Sequence, residues 1–269
     1  MNIWVIARST FGEAIRKRIG LYVVFSAVVF LILSQLFAQF STGGVSSEIG
    51  GGSRVEITII KSMAFFIIVL SGLVLSIFLS FDLVPSDVDN KTIYTILSKP
   101  VKRWHYVFGK FIGTCMALLM NIGFMGVALM VLVAIKSHQL EWPLLGGVLL
   151  LFMQFAVLTG LAILLSLVVT RNINVALCFA FYLTGTVSEF WQSIAATSDN
   201  PLIKLMVKAI HLVIPNFYNF SFTNTMVHLE KWREIPNAAA DVGWAAVYGV
   251  LYLAVILLLA FTIFEKKEV

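Results

Sequence analysis

Apolar residues gather in six long runs along the chain, at 19–40, 63–84, 106–135, 143–169, 173–194 and 242–264. Each meets or exceeds the roughly 20 residues a helix needs to cross a 30 Å hydrocarbon core. The runs are apolar on every side, whereas barrel strands would alternate over about ten residues. The pattern predicts an all-α integral membrane protein with six transmembrane helices.

Three of the segments between the runs carry a pattern of their own. In 1–18, Trp4, Ala7, Phe11, Ala14 and Ile15 recur at helical spacing, with Ser9, Glu13, Arg16 and Lys17 opposite. That spacing describes either an amphipathic helix lying in the interface or a simple basic anchor. In 85–105, Ser86 and Asp89 have capping-box spacing, so a helix is expected to start just after Pro85. Pro100 stops it near Ser98, leaving a short helix over 87–97 with Ile93, Ile96 and Leu97 as its apolar edge. In 195–241, Asn200 and Pro201 open a further amphipathic helix that ends at "IPNFYNF". The stretch "STGGVSSEIGGGSRVE" reads as a flexible Gly- and Ser-rich loop.

Composition sharpens this picture. Hydrophobic residues make up 59% of the chain and charged ones 12%, about half the charge of a soluble domain. With the N-terminus inside, twelve of the 19 Lys and Arg residues fall on the cytoplasmic side, which predicts both termini cytoplasmic. The net charge of +5 then suits anionic headgroups, and no nucleic-acid motif accompanies it. No cleavable signal is expected, because the first run is too long for a signal core. Cys115 and Cys178 both fall inside runs and read as small reduced packing residues.

Catalytic constellations are missing from the sequence. It holds no G-x-x-x-x-G-K-[ST], no H-E-x-x-H and no G-x-S-x-G. Asp82, Asp87 and Asp89 read as solvated interface charge rather than a metal-bound diphosphate site, because Pro85 interrupts their spacing. Polar groups inside the runs are sparse: Gln35, Gln39, Asn121, Gln154 and Glu189. Such groups face a bundle interior or cavity, although Glu189 lies near enough to the outer surface to be simply wet. Small-residue ridges mark close helix contacts at Gly109-x-x-x-Gly113, at Gly72-x-x-x-Ser76-x-x-x-Ser80, and from Ala176 through Ala180 and Thr184 to Ser188.

The segments "ARSTFGEAIRKRIGLY", "LSKPVKRWHYVFGKFIG" and "IHLVIPNFYNF", set among six runs, resemble the permease subunits of ABC-2 type transporters. The subgroup they resemble most is the permeases of multicopper-enzyme maturation. The resemblance implies a homodimer in a prokaryotic inner membrane, each subunit docked on a separate cytoplasmic ABC ATPase and acting as an exporter. ATP and Mg would belong to that ATPase, so no cofactor is expected in this chain. Residues 1–18 would be an elbow helix and 87–97 a coupling helix, with 195–241 as an external gate. The ATPase would grip Glu13, Arg16, Asp89, Lys91, Ile93, Tyr94, Ile96, Leu97, Lys102 and Arg103. The first and fifth spans would line the path with Gln35, Gln39, Thr184, Ser188 and Glu189. An ATP-independent channel, a secondary transporter or a membrane assembly scaffold are the competing readings. Scarce intramembrane charge and the patterned segment 87–97 count against the first two.

Overall fold

The computed structural model describes residues 3–16, 52–81, 83–89, 103–139, 141–197, 204–208, 214–220 and 238–266, with Leu202 and single positions between Tyr22 and Leu36. Among the described residues every regular element is helical. In chain order these are α1 (Ile3–Ala14), α2 (Gly52–Ser80), α3 (Leu83–Asp89), α4 (Arg103–Ser137), α5 (Pro143–Ser166), α6 (Arg171–Thr186), α7 (Ser188–Thr197) and α8 (Ala238–Lys266). A 3-10 turn at Phe217–Phe220 precedes α8. Among the described residues, four stretches are long and apolar enough to cross a membrane: Ile60–Asp87, which takes in most of α2 and α3, Trp104–Ser137, Pro143–Ser166 and Ala240–Lys266. The pair α6 and α7, bent by 57°, makes a fifth if counted as one span. The first predicted span, 19–40, lies mostly outside the described residues; its described positions are helical.

Helix α5 is the hub, packed against α2, α4, α6 and α8. Pro143 occupies its first turn, where a missing N–H costs nothing. Leu150, Leu151, Phe155, Leu158, Leu161 and Ala162 are all buried along it. Lipid tails are as apolar as these side chains, so close packing rather than water exclusion must hold the helices together. Glycines supply the closeness: a Cβ on Gly72 would sit 2.5 Å from the Phe155 ring, and one on Gly126 would sit 2.7 Å from Val148.

Four sequence expectations need correction. Helix α2 begins at Gly52, so the end of the Gly- and Ser-rich stretch is helical. One turn further on, the buried Lys61 pairs with Glu141 at the end of the α4–α5 connection. The helix expected to start after Pro85 starts at Leu83 instead. Pro85 is tolerated there because it falls in the first turn, where N–H groups have no intrahelical acceptor. Helix α1 buries Ile6, Ala7, Thr10 and Ala14, while Trp4 and Ile15 are exposed. Its packed stripe is therefore rotated from the one its apolar residues suggest, with Ile6 and Thr10 packed against the glycines of α4 in place of Trp4 and Ile15. Finally, the fifth run is not one straight helix but breaks at Val187.

Candidate functional site

Where α1, α3 and α4 meet, four side chains form an ion cluster, buried except at Glu13. Lys110 of α4 is 5% exposed and places its Nζ 2.9 Å from Asp87 Oδ2 and 3.7 Å from Glu13 Oε2. The fully buried Tyr106, one turn earlier, donates its hydroxyl to the same Asp87 oxygen at 2.6 Å. The Lys110 ammonium also lies 5.8 Å from the Tyr106 ring centroid. Behind it, Tyr106 stacks on Phe264 near the end of α8, ring centres 5.6 Å apart. A buried charge is tolerable only when paired and hydrogen-bonded, and Asp87 receives both kinds of partner here. The cluster thus joins α1, α3, α4 and α8 at the end of the molecule where 90–102 connects α3 to α4.

The approach of α1 depends on backbone as much as on charge. A Cβ on Gly109 would lie 2.8 Å from Ile6 Cβ, and one on Gly113 would lie 2.6 Å from the Ala7 carbonyl oxygen and the Thr10 Cβ. Only glycine at both positions lets α1 lie flat enough for Glu13 to reach Lys110.

At the other end, "IPNFYNF" folds into the bundle. Phe217 and Phe220 are buried to 1% and 0% exposure. Phe217 packs on Tyr182, which stacks on Phe155, while Phe220 meets Tyr248, which meets Tyr252. Gly185 makes room, since a Cβ there would sit 2.5 Å from the Pro215 carbonyl. Asn216 ties the turn down: its N–H donates to Tyr248 Oη at 2.9 Å, and its Oδ1 accepts from Ser188 Oγ. The Glu189 carboxylate accepts a hydrogen bond from Tyr218 and pushes that phenol above its ordinary value. The bend at Val187 sits where this turn enters.

The residues expected to matter are placed unevenly. Glu13 joins the ion cluster, and Arg16 lies exposed just beyond α1. Asp89 ends α3 and Arg103 begins α4. Lys91, Ile93, Tyr94, Ile96, Leu97 and Lys102 lie outside the described residues, as do Gln35 and Gln39. Ser188 is buried against Asn216, Thr184 is half-buried, and Ala176, Ala180 and Glu189 are exposed. Sequence reasoning missed Lys110 and Asp87 as a pair. The signal was present: a lone cation inside an apolar run needs a counter-charge, and Asp87 is close to the end of the preceding run. It also missed Asn174, fully buried, whose Nδ2 donates to the Ala162 carbonyl at 3.0 Å and whose Oδ1 accepts from the Cys178 thiol.

Comparison with known families decides the relationship. The pattern of the ABC-2 family transporter protein matches residues 4–269. The chain belongs to the ABC-2 transporter family. Among curated relatives, this ABC-2 chain is 28% identical over 162 residues to the "probable ABC transporter permease protein NosY" of Pseudomonas aeruginosa. That match covers 59% of this chain and 55% of the relative, so it spans about half the length of that protein. Family and helices together make this ABC-2 chain a multi-pass membrane protein.

Proposed function

We propose that the chain is the membrane-spanning permease subunit of an ATP-binding-cassette transporter, an exporter working as a homodimer in a prokaryotic inner membrane. The ATP and Mg sites lie in a separate cytoplasmic ATPase. Residues 1–18 act as its elbow helix and 87–97 as its coupling helix, with 195–241 as an external gate. Gln35, Gln39, Thr184, Ser188 and Glu189 border the path.

The observation that carries this reading is the Glu13–Lys110–Asp87–Tyr106 cluster. A chain without its own nucleotide site can be driven only by movement of an element that a partner grips. Such an element transmits force when its base is rigid. Asp87 lies just before segment 90–102, while Tyr106 and Lys110 lie just after it. The cluster therefore clamps both ends of that segment to α1 and α8. Ile93, Ile96 and Leu97 fill a groove on the ATPase, while Tyr94, Asp89, Lys91, Lys102 and Arg103, with Glu13 and Arg16, set the register.

The test is co-purification of the neighbouring ATPase with wild type and with Ile93→Asp combined with Leu97→Asp, using size-exclusion chromatography as the folding control. The double variant is expected to fold and to lose the ATPase. Retention of the ATPase at the wild-type level by a folded double variant refutes the docking assignment.

A further inference from the structure

The rotated packing of α1 leaves a free face that its apolar pattern does not single out. Trp4, Val5 and Ile15 are exposed on it, and so are Arg8, Ser9 and Arg16. Arg8 and Arg16 stand about one turn to either side of Gly12, on the same side of the helix. A Cβ on Gly12 would meet nothing within 4 Å, so the space between the two arginines is open. Neither arginine has a hydrogen-bond or ion-pair partner among the described residues. Glu13, the one carboxylate in 1–18, is turned toward Lys110 instead. The face is therefore cationic, with apolar side chains beside its charge.

Its depth follows from α4. That helix has 35 residues and rises about 52 Å, more than the roughly 30 Å hydrocarbon core. Near its end the exposed, apolar Ile135 gives way to the exposed cation Lys136, which marks one edge of that core. The other edge falls about 20 residues back, near Met116 with α4 upright and near Gly113 with a lean of about 30°. Helix α1 packs along Gly109 and Gly113, and its Ala14 shares a buried cluster with Leu79 and Ala117. It lies at the level of the lipid headgroups, where its free face meets phosphate.

We infer that this face of α1 is a binding site for an anionic phospholipid, whose phosphate lies in the gap at Gly12 between Arg8 and Arg16. Guanidinium groups hold phosphate through paired, charge-assisted hydrogen bonds, which suits two arginines with no carboxylate beside them. Trp4 and Ile15 lie against the glycerol and first acyl carbons, whereas a free phosphate ion would leave them bare. A zwitterionic headgroup brings its own ammonium to the same place, where two cations repel it. The bound lipid holds α1 from outside, as the Glu13–Lys110 contact holds it from within. The site needs the membrane but not the ATPase. Arg16 is also among the residues set against that ATPase, so Arg8 is the residue that separates lipid from protein.

The experiment uses the full chain in nanodiscs of phosphatidylcholine and phosphatidylglycerol in equal amounts, each lipid in turn carrying a diazirine, with mass spectrometry to map the adducts. On residues 4–16, phosphatidylglycerol should label about thirtyfold more than phosphatidylcholine, the factor for two basic residues at a headgroup surface. Arg8→Gln should cut that preference about fivefold, and adding Arg16→Gln should remove it. Both side chains are exposed, so the variants should melt with wild type. Equal labelling by the two lipids on wild type overturns the assignment, as does a preference that the double variant keeps. Loss of the preference on adding inorganic phosphate gives the site to a soluble anion and overturns it too. The ATPase should co-purify with Arg8→Gln as with wild type. Loss of the ATPase with the lipid preference intact assigns the face to the protein partner instead.

Discussion

Replacing Lys110 with Met keeps the length of the side chain and removes its charge, leaving two carboxylates facing a buried gap. The larger loss comes from Asp87, 11% exposed and 2.9 Å from the ammonium. Breaking one side of such a pair costs about 3–5 kcal/mol. Glu13 adds less than about 1 kcal/mol, because it is 38% exposed at 3.7 Å and water screens it. Thermal unfolding in detergent, followed by tryptophan fluorescence, should show a drop on the order of 10 °C, at roughly 2–4 °C per kcal/mol. Adding Asp87→Leu removes the stranded carboxylate and should recover most of the loss. The remainder is the Tyr106 hydroxyl, now without its acceptor, at about 1–3 kcal/mol. Adding Tyr106→Phe should return the triple variant close to wild type, because an apolar replacement of a whole buried network is often neutral. The reasoning is refuted if Lys110→Met melts within 2 °C of wild type, a threshold of about 1 kcal/mol, or if the triple variant is no more stable than the single one.

Other expectations follow from the same contacts. Gly113→Leu drives a side chain into the Ala7 carbonyl and should cost about 1–3 kcal/mol, and it should release α1 to added protease; unchanged proteolysis argues against the close packing. Ala180→Leu, on an exposed small-residue ridge of α6, should weaken self-association in light scattering; a wild type that stays monomeric at every concentration with its ATPase bound excludes the homodimer. Cysteines at Ser46 and Ser198 should react with an impermeant thiol reagent in intact cells, and one at Ser98 should not. Labelling of Ser98→Cys from outside reverses the orientation and removes the docking segment from the ATPase side.

Much of the helical skeleton could be read from the pattern, because a span must be apolar over a fixed length whatever it packs against. Helices α4, α5 and α8 lie over predicted runs for that reason. What the pattern could not supply was direction around each helix. In lipid the large apolar residues have no obligation to face inward, so Trp4 and Ile15 misled the reading of α1; Ala7 and Ala14 are packed as expected, and Ile6 and Thr10 are the packed positions it left out. The ridge at Gly109 and Gly113 was visible as a small-residue surface, but nothing local identified α1 as the helix lying on it. Breaks were equally hidden. Val187 sits in an ordinary apolar run, and the span bends there because Asn216 and Pro215, many residues later, fold back onto Ser188 and Gly185.

That bend fixes how far the chain can reach. The 16 residues of α6 rise about 24 Å, which falls short of the roughly 30 Å hydrocarbon core. The ten residues of α7, turned by 57°, add about 8 Å along the same direction. Counted as one span, the pair reaches about 32 Å with α6 upright, little more than that core. A lean of α6 by about 20° in the plane of the bend lengthens that reach to about 35 Å, because α7 then lies closer to the same direction. The angle at Val187 therefore sets the reach of the pair, and the turn carrying Phe217 and Phe220 packs against both of its helices.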